Sequence, residues 1–419
     1  MIARRAVRAT RHVIASFCVA AAAVAACLTP AGAQDLLLPS RLASVGPVFE
    51  RWSFGSGLRQ PTADGAGNVE LRTASVFTVP VGASVEIGSR WRVDLSTAYS
   101  SGTVHLRAPD PPSGSDTYSL SGFSDVRARV TGQLVGDAVV ATIGANLPTG
   151  ATSLDGEEFA ALRVLAAPAL ALPMPALGSG FGATAGIVAA RQVAGWAWAL
   201  GASYELRRTY SPLALVTTLP AADLDPGDAL HLSLGADGLV GQSGMTFAVT
   251  ADVFGDDHLT PLVGAGTGGN PGSPPDVITR LGPIFTADWQ LRLAAPRLRE
   301  LTLYAIDRYR TPYKRGGQRV SESNANYADA GVRAVFPWTP ATGVLTTLNV
   351  RHQTGLKSDS TLATAATFAA GATAGLVRSF GSGYSLQPFV RAEFGTIKNA
   401  DQSVGVSSLT AGITFGRRF

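Results

Sequence analysis

Leu409-Thr-Ala-Gly-Ile-Thr-Phe-Gly-Arg-Arg-Phe419, the end of a 419-residue chain, alternates with a period of two. Counting back in twos from Phe419 gives Arg417, Phe415, Ile413, Ala411 and Leu409, an almost wholly apolar set. The other set is Arg418, Gly416, Thr414, Gly412 and Thr410. Such a segment is a strand with one apolar and one hydrated side. Two settings suit it. It is the last strand of a soluble sheet, or the closing strand of a membrane barrel, with its apolar side on lipid and its end aromatic at the interface.

The rest of the chain selects the barrel. In Arg90–Ser100, Trp91, Val93, Leu95, Thr97 and Tyr99 point one way, while Arg90, Arg92, Asp94, Ser96 and Ala98 point the other. Ser124–Leu134 and Trp196–Arg208 repeat the pattern, and further alternating runs follow to the C-terminus. Charged groups on the wet side of so many runs cannot face a dry soluble core; a water-filled lumen spares them the desolvation cost. Short links such as Gly241–Gly244 alternate with longer polar ones such as Ser211–Asp228 and Gly255–Asp276, the barrel arrangement of turns at one end and loops at the other. The expected fold is all-β, a transmembrane antiparallel up-and-down barrel of 12–16 strands. Helical periodicity is hard to find after residue 34. The alternation of short and long links fails between Leu147 and Ser211, so one element within Phe159–Arg208 breaks the barrel pattern.

Residues 1–33 have the form of a secretory signal peptide. Arg4, Arg5, Arg8 and Arg11 precede an apolar run, Val13–Leu28, and Ala31-Gly32-Ala33 forms a small-residue cleavage site. Val24-Ala25-Ala26-Cys27 offers the alternative of a lipoprotein box, with Cys27 acylated. Both cysteines, Cys18 and Cys27, fall in this segment, so removal at Ala33 leaves a chain with no disulfide or thiolate chemistry. Removal also takes four of the 34 basic residues and none of the 30 acidic ones, so the charge balances. The basic balance therefore gives no argument for nucleic acid. Residues 34–419 are expected to form one barrel domain, with 34–68 a periplasmic lead-in and a short first strand near Val48–Gly55.

Chemistry-bearing patterns are few. His105, His231, His258 and His352 have no metal-ligand spacing, and no nucleophile elbow occurs, so neither a catalytic centre, a metal nor a cofactor is expected. The residues that alternation assigns to the lumen are Arg92, Asp94, Asp125, Arg127, Arg129, Glu205, Arg207, Asp237, Asp288, Arg292, Asp329, Arg333, Arg391 and Glu393. Their signs are mixed, which suits ion pairs that rigidify the wall or a selectivity ladder with opposite walls of opposite sign.

Three short patterns carry a resemblance. Ser121-Gly-Phe-Ser-Asp-Val126, Asn146-Leu-Pro-Thr-Gly150 and Leu224-Asp-Pro-Gly-Asp228 resemble turns of outer-membrane proteins of the meta-pathway phenol-degradation type, which are similar to long-chain fatty-acid transport barrels. Phe123-Ser124 stands where that pattern often has Leu-Gly. The resemblance implies passage of small hydrophobic or aromatic solutes across the outer membrane, and it supplies no binding residues. A structural or surface-interaction barrel without transport is the alternative. Outer-membrane lipids, a small organic solute and the barrel assembly machinery, which would read Phe419, are the expected partners. Deleting Phe419 is expected to impair insertion far more than it alters any pore.

Overall fold

The computed structural model describes residues 42–61, 68–107, 115–135, 138–167, 169–172, 177–211, 222–261, 277–354, 365–381, 384–399 and 402–418. The expected signal segment 1–33, with Cys27, and the expected assembly signal Phe419 lie outside them. The chain closes into an antiparallel barrel. β1 (Leu42–Val45) and β2 (Val48–Pro61) lie along β23 (Ser403–Arg418), with Leu42 opposite Arg418 and Phe54 opposite Val406. β3 (Asn68–Ile87), β4 (Trp91–Arg107), β5 (Ser115–Phe123), β6 (Val126–Val135) and β7 (Val139–Leu147) continue the wall. A helix, α1 (Gly156–Leu165), then precedes β8 (Gly182–Val193) and β9 (Trp196–Arg207).

A short β10 (Ala222–Asp225) leads to β11 (Ala229–Val240) and β12 (Ser243–Phe254). Beyond β13 (Asp257–Pro261) and β14 (Val277–Arg280), β15 (Ile284–Arg292) and β16 (Glu300–Arg310) return to the wall. A hairpin, β17 (Lys314–Arg315) and β18 (Gln318–Arg319), precedes β19 (Ala325–Pro337), β20 (Thr342–Gln353), β21 (Ala366–Ser379) and β22 (Tyr384–Lys398). β1 with β2, and β5 with β6, each make one interrupted wall strand, since both partners of each pair run along a shared neighbour, β23 or β4. The wall therefore has 16 strands. β10, β13, β14, β17 and β18 form a second sheet at the loop end.

Two sequence expectations are corrected. Within the expected lead-in, residues 42–45 are already wall, and the first strand runs on to Pro61, while residues 34–41 lie outside the described residues. The element that spoiled the turn-and-loop alternation is α1. Asp155 caps it, accepting from the backbone N–H groups of Glu157 and Glu158, while the Glu158 carboxylate accepts from the Asp155 N–H in return.

The two faces of the wall are chemically distinct. On β23, Leu409, Ile413 and Phe415 stand about half exposed, while Val404, Val406, Ser408 and Thr410 are buried. Val81, Val85, Trp91, Leu95, Ile143, Leu348, Val390 and Phe394 continue the exposed apolar face around the barrel. An apolar band of this extent is a lipid contact rather than a surface for water. Aromatics border it. Phe49, Phe77, Tyr99 and Phe123 lie toward the loop end, with Tyr99 and Phe123 ring centroids 5.2 Å apart. Trp91, Trp338, Phe380 and Phe415 lie at the turn end. Above the first girdle the same outward face turns polar, with Arg51, Ser75, Thr103 and Ser119 joined through the strand register, as expected where tall strands rise out of lipid. Glycine lets a ring lie flat on this face: a Cβ on Gly132 would collide with the Trp91 indole of the neighbouring strand. The Ala194-Gly195 turn joining β8 to β9 has positive φ at both residues, 52° and 82°, the type I′ geometry that matches strand twist.

The second sheet is fastened by a bidentate pair. Arg280 donates from Nε and Nη2 to the Asp256 carboxylate at 2.7 and 2.6 Å. This hydrogen-bonded guanidinium holds the Asp256 carboxyl below its ordinary range. A lowered folded pKa stabilises the folded form above the unfolded carboxylate range, and that contribution is lost as pH falls through the lowered pKa. Amide protection factors in β13 and β14, corrected for the intrinsic exchange rate, are therefore expected to fall on acidification below about pH 4 and to be less pH-sensitive in Asp256→Asn. Equal acid sensitivity in the variant would remove the pair from this role.

Candidate functional site: a lumen divided by one loop

The inner face of the barrel is shaped by the 148–181 loop between β7 and β8. Its stem is gathered on one carboxylate. Asp125, 4% exposed in the break between β5 and β6, accepts from the Gly150 N–H at 2.9 Å, the Ser179 N–H at 2.7 Å, the Ser179 hydroxyl at 3.2 Å and Asn146 Nδ2 at 2.8 Å. Thr149 Oγ1 accepts from the Val126 N–H at 2.9 Å. Two of the three patterns singled out in the sequence, Ser121–Val126 and Asn146–Gly150, thus meet as the two halves of this stem. The third, Leu224–Asp228, is another loop anchor: Asp228 accepts from the Arg207 N–H and the Tyr204 hydroxyl.

From the stem, α1 lies against the inner face of β3, β4 and β5. Its buried stripe is Ala161, Val164 and Leu165, and they join Trp52, Phe54, Leu71, Val76, Val104, Leu120, Ile397 and Val406 of the wall in one apolar cluster. Wall residues of this kind have no reason to be apolar unless something dry covers them. Gly102 allows the closest approach, since a Cβ there would run into the Leu165 side chain. Gly102→Val is therefore expected to push α1 off the wall and destabilise the barrel by about 1–3 kcal/mol, as overpacking does. Denaturant unfolding followed by tryptophan fluorescence measures this, and an unchanged midpoint would count against the close contact.

Past the helix the loop reaches the strands beyond the closure. The Thr367 hydroxyl of β21 donates to the Ala169 carbonyl at 3.0 Å, and Arg351 Nη1 of β20 donates to the Leu170 carbonyl at 3.4 Å. A segment fastened to β3–β5 at one end and to β20–β21 at its tip covers the inner wall on the side where the barrel closes.

Beneath the tip lies an ionic cluster. Arg351 and Glu393, 4% and 1% exposed, pair at 3.3 Å. Asn349 Nδ2 and the Ser408 hydroxyl each donate to Glu393 at 3.2 Å. The Arg351 guanidinium stands 4.8 Å from the Trp52 ring centre, and Trp52 Nε1 donates to Glu50 at 2.8 Å. Arg391 reaches Glu50 at 3.3 Å and Glu393 at 3.9 Å. Asp329 is the register partner of Arg351, and the Tyr327 hydroxyl donates to it at 3.4 Å. Every charge here has a counter-charge, the condition under which buried ions are tolerated.

The other side of the lumen, from β8 round to β19, is different. Small residues share the inner face there: Gly186, Ala199, Gly201, Ser233, Gly235 and Ala248 occupy neighbouring register positions. His231 lies between two carboxylates, with Nδ1 2.7 Å from Asp252 and Nε2 3.3 Å from Glu205. Asp237 accepts from Thr246 at 3.2 Å, and Arg333 pairs with Glu300 at 3.3 Å. Near the turn end Arg92 pairs with Asp94 at 3.0 Å. Arg127, Arg129, Asp288 and Arg292 have the same inward register without a side-chain partner among the described residues.

Burial changes two of the roles that alternation alone assigns. Asp125 is a loop anchor and Glu393 is sealed under the loop tip, so neither lines open lumen. The signs do not segregate into a basic and an acidic wall: Arg92, Arg333, Arg351 and Arg391 pair with carboxylates, while other inward arginines do not. Glu50, Arg351, His231 and Asp252 belong to the inner face as well, although the sequence did not single them out as lumen residues. Glu50 and Arg351 were within reach of the alternation rule, sharing faces with Trp52 and with Asn349. Among the described residues no group of three or more His, Cys, Asp or Glu side chains is placed to hold a metal ion.

No protein-family model and no curated protein matches the chain. Among solved structures the chain is similar to vanillate-bound OpdK of Pseudomonas aeruginosa, at 9% identity over 89% of this chain and 98% of that one, with a TM-score of 0.42. It is similar to OprB of Pseudomonas putida, at 10% identity over 88% and 91%, with a TM-score of 0.44. A monoaromatic hydrocarbon channel, CymD, matches at 11% identity over 93% of each chain, with a TM-score of 0.34. Likeness at this level says nothing of a solute.

Proposed function

We propose that this protein is a passive channel of the outer membrane that admits small organic solutes, hydrophobic or aromatic in character. The observation that carries the reading is the asymmetry of the lumen. One side is filled by a docked loop, while the facing wall from β8 to β12 is kept low by glycine, alanine and serine, which leaves room along it. The wet inner face favours solvated passage, and Phe254, Tyr304 and Tyr327 on that face favour aromatic solutes. The turn patterns shared with barrels of the phenol-degradation type support the same class. In this reading lipids contact the apolar band and the assembly machinery inserts the barrel.

Proteoliposome swelling tests it. Vesicles holding the full chain are expected to take up small neutral solutes such as arabinose faster than protein-free vesicles, with a size cut-off that rises when residues 152–176 are replaced by a short linker. Uptake no faster than in empty vesicles, for both proteins, would leave a barrel without transport and end the channel reading.

A further inference from the structure

The guanidinium groups of the lumen fall into two populations. Arg351, Arg391, Arg333 and Arg92 each pair with a carboxylate. Arg207, Arg308 and Arg310 on the open side, and Arg163 of α1, have no carboxylate partner among the described residues. The register explains why. Arg310 faces Ile284 and Ala325, and Arg308 faces Thr286 and Tyr327, so no acidic residue stands opposite either. Arg207 donates its backbone N–H to Asp228, while its Nε and Nη2, and Nε of Arg310, are buried without a protein acceptor; Arg333, Arg351 and Arg391 also bury such an N–H, so the absent carboxylate is what sets Arg207 and Arg310 apart. A buried guanidinium N–H without an acceptor costs free energy that a bound acceptor would recover.

The nearby carboxylates are committed elsewhere. Glu205 and Asp252 contact His231, Asp228 holds the Tyr204 hydroxyl, and Asp237 holds Thr246. Asp288 on the wall and the exposed Glu157 of α1 are the acids here without a hydrogen-bond partner among the described residues. The cations outnumber them.

Three of these four cations also have an aromatic side chain beside them, and Arg310 lies two residues along the strand from Arg308. The Arg207 guanidinium lies 5.6 Å from the Phe254 ring centre. Arg308 and Tyr327 are register partners. On α1 the buried stripe Ala161, Val164 and Leu165 turns Phe159 and Arg163, one helical turn apart, away from the wall. A guanidinium matches a carboxylate bidentately, and a ring beside it offers a stacking face. We infer that the open side of the lumen is a binding track for small aromatic carboxylates, with Arg207 and Arg310 taking the carboxylate and Phe254 and Tyr327 the ring. This deepens the channel reading and rests on it.

The test uses the full chain in planar bilayers under a potassium chloride gradient, with benzoate, acetate and the neutral isostere benzamide added at the loop end. Wild-type protein is expected to prefer chloride over potassium in its reversal potential. Benzoate should interrupt the current in a concentration-dependent way, acetate more weakly and benzamide hardly at all. In Arg207→Gln/Arg310→Gln the concentration of benzoate giving half-interruption should rise about tenfold or more. Openings that respond alike to benzoate and benzamide, or a double variant as sensitive as wild type, would overturn the track while leaving the channel. If no openings occur the channel reading fails by itself. Calorimetry of benzoate with detergent-solubilised protein then decides the track: heat lost in the double variant supports it, and no heat overturns it.

Discussion

Asp125→Ala is expected to lower the stability of the folded barrel by about 3 kcal/mol and to free the 148–181 loop. The carboxylate is 4% exposed and is the common acceptor for Gly150, Ser179 and Asn146. Removing it strands two backbone N–H groups that β geometry does not satisfy, and each carries its own desolvation cost. Because those N–H groups hold the two ends of the loop stem, the loss should appear twice: as a lower unfolding midpoint, and as noisier and larger single-channel currents. Asp125→Asn keeps one oxygen as acceptor and should fall between. A variant that melts like wild type, with quiet currents of unchanged size, would show that the stem is held by something else.

Arg351→Met should be as severe, at about 3–5 kcal/mol, for a different reason. Glu393 is 1% exposed, and Arg351 is one of the two guanidiniums, with Arg391, that balance it. Deleting Arg351 leaves a buried carboxylate with weakened compensation, and removes the hydrogen bond to the loop tip at Leu170. The double variant Arg351→Met/Glu393→Gln takes both charges away and is expected to recover much of the loss, since a neutral pair has no charge to desolvate. Unfolding in urea, followed by Trp52 and the other indoles, measures both variants. A double variant less stable than Arg351→Met alone would mean that the pair is not the source of the cost.

Much of the barrel was legible because its two solvents are so unlike. Lipid outside and water inside force an apolar–polar alternation on nearly every strand, and Leu409–Phe415 showed it plainly. The first wall strand was less legible because Gly46 and Pro47 interrupt it, cutting a four-residue piece off the 14-residue run that follows. The helix left a signal, Asp155 followed three residues later by Glu158 ahead of an apolar run, but Ala160–Leu172 reads equally as an apolar strand when its period is not tested. What alternation cannot supply is which inward residue meets which loop. Asp125 takes partners 25 and 54 positions away in sequence, and no local pattern encodes a carboxylate that serves as a knot for a distant segment. The same limit explains why Glu393 read as lumen lining: its face was right, but the loop tip that covers it comes from more than 200 positions away in sequence, across the closure of the barrel.

A lumen open along one wall and closed by a docked loop along the other can be read from the single-channel conductance of the full chain in planar bilayers, beside that of the variant lacking residues 152–176. The expected result is discrete, stable openings for wild type and a clearly larger conductance once the loop is removed. Equal conductance for the two proteins, or no openings from either, would contradict it.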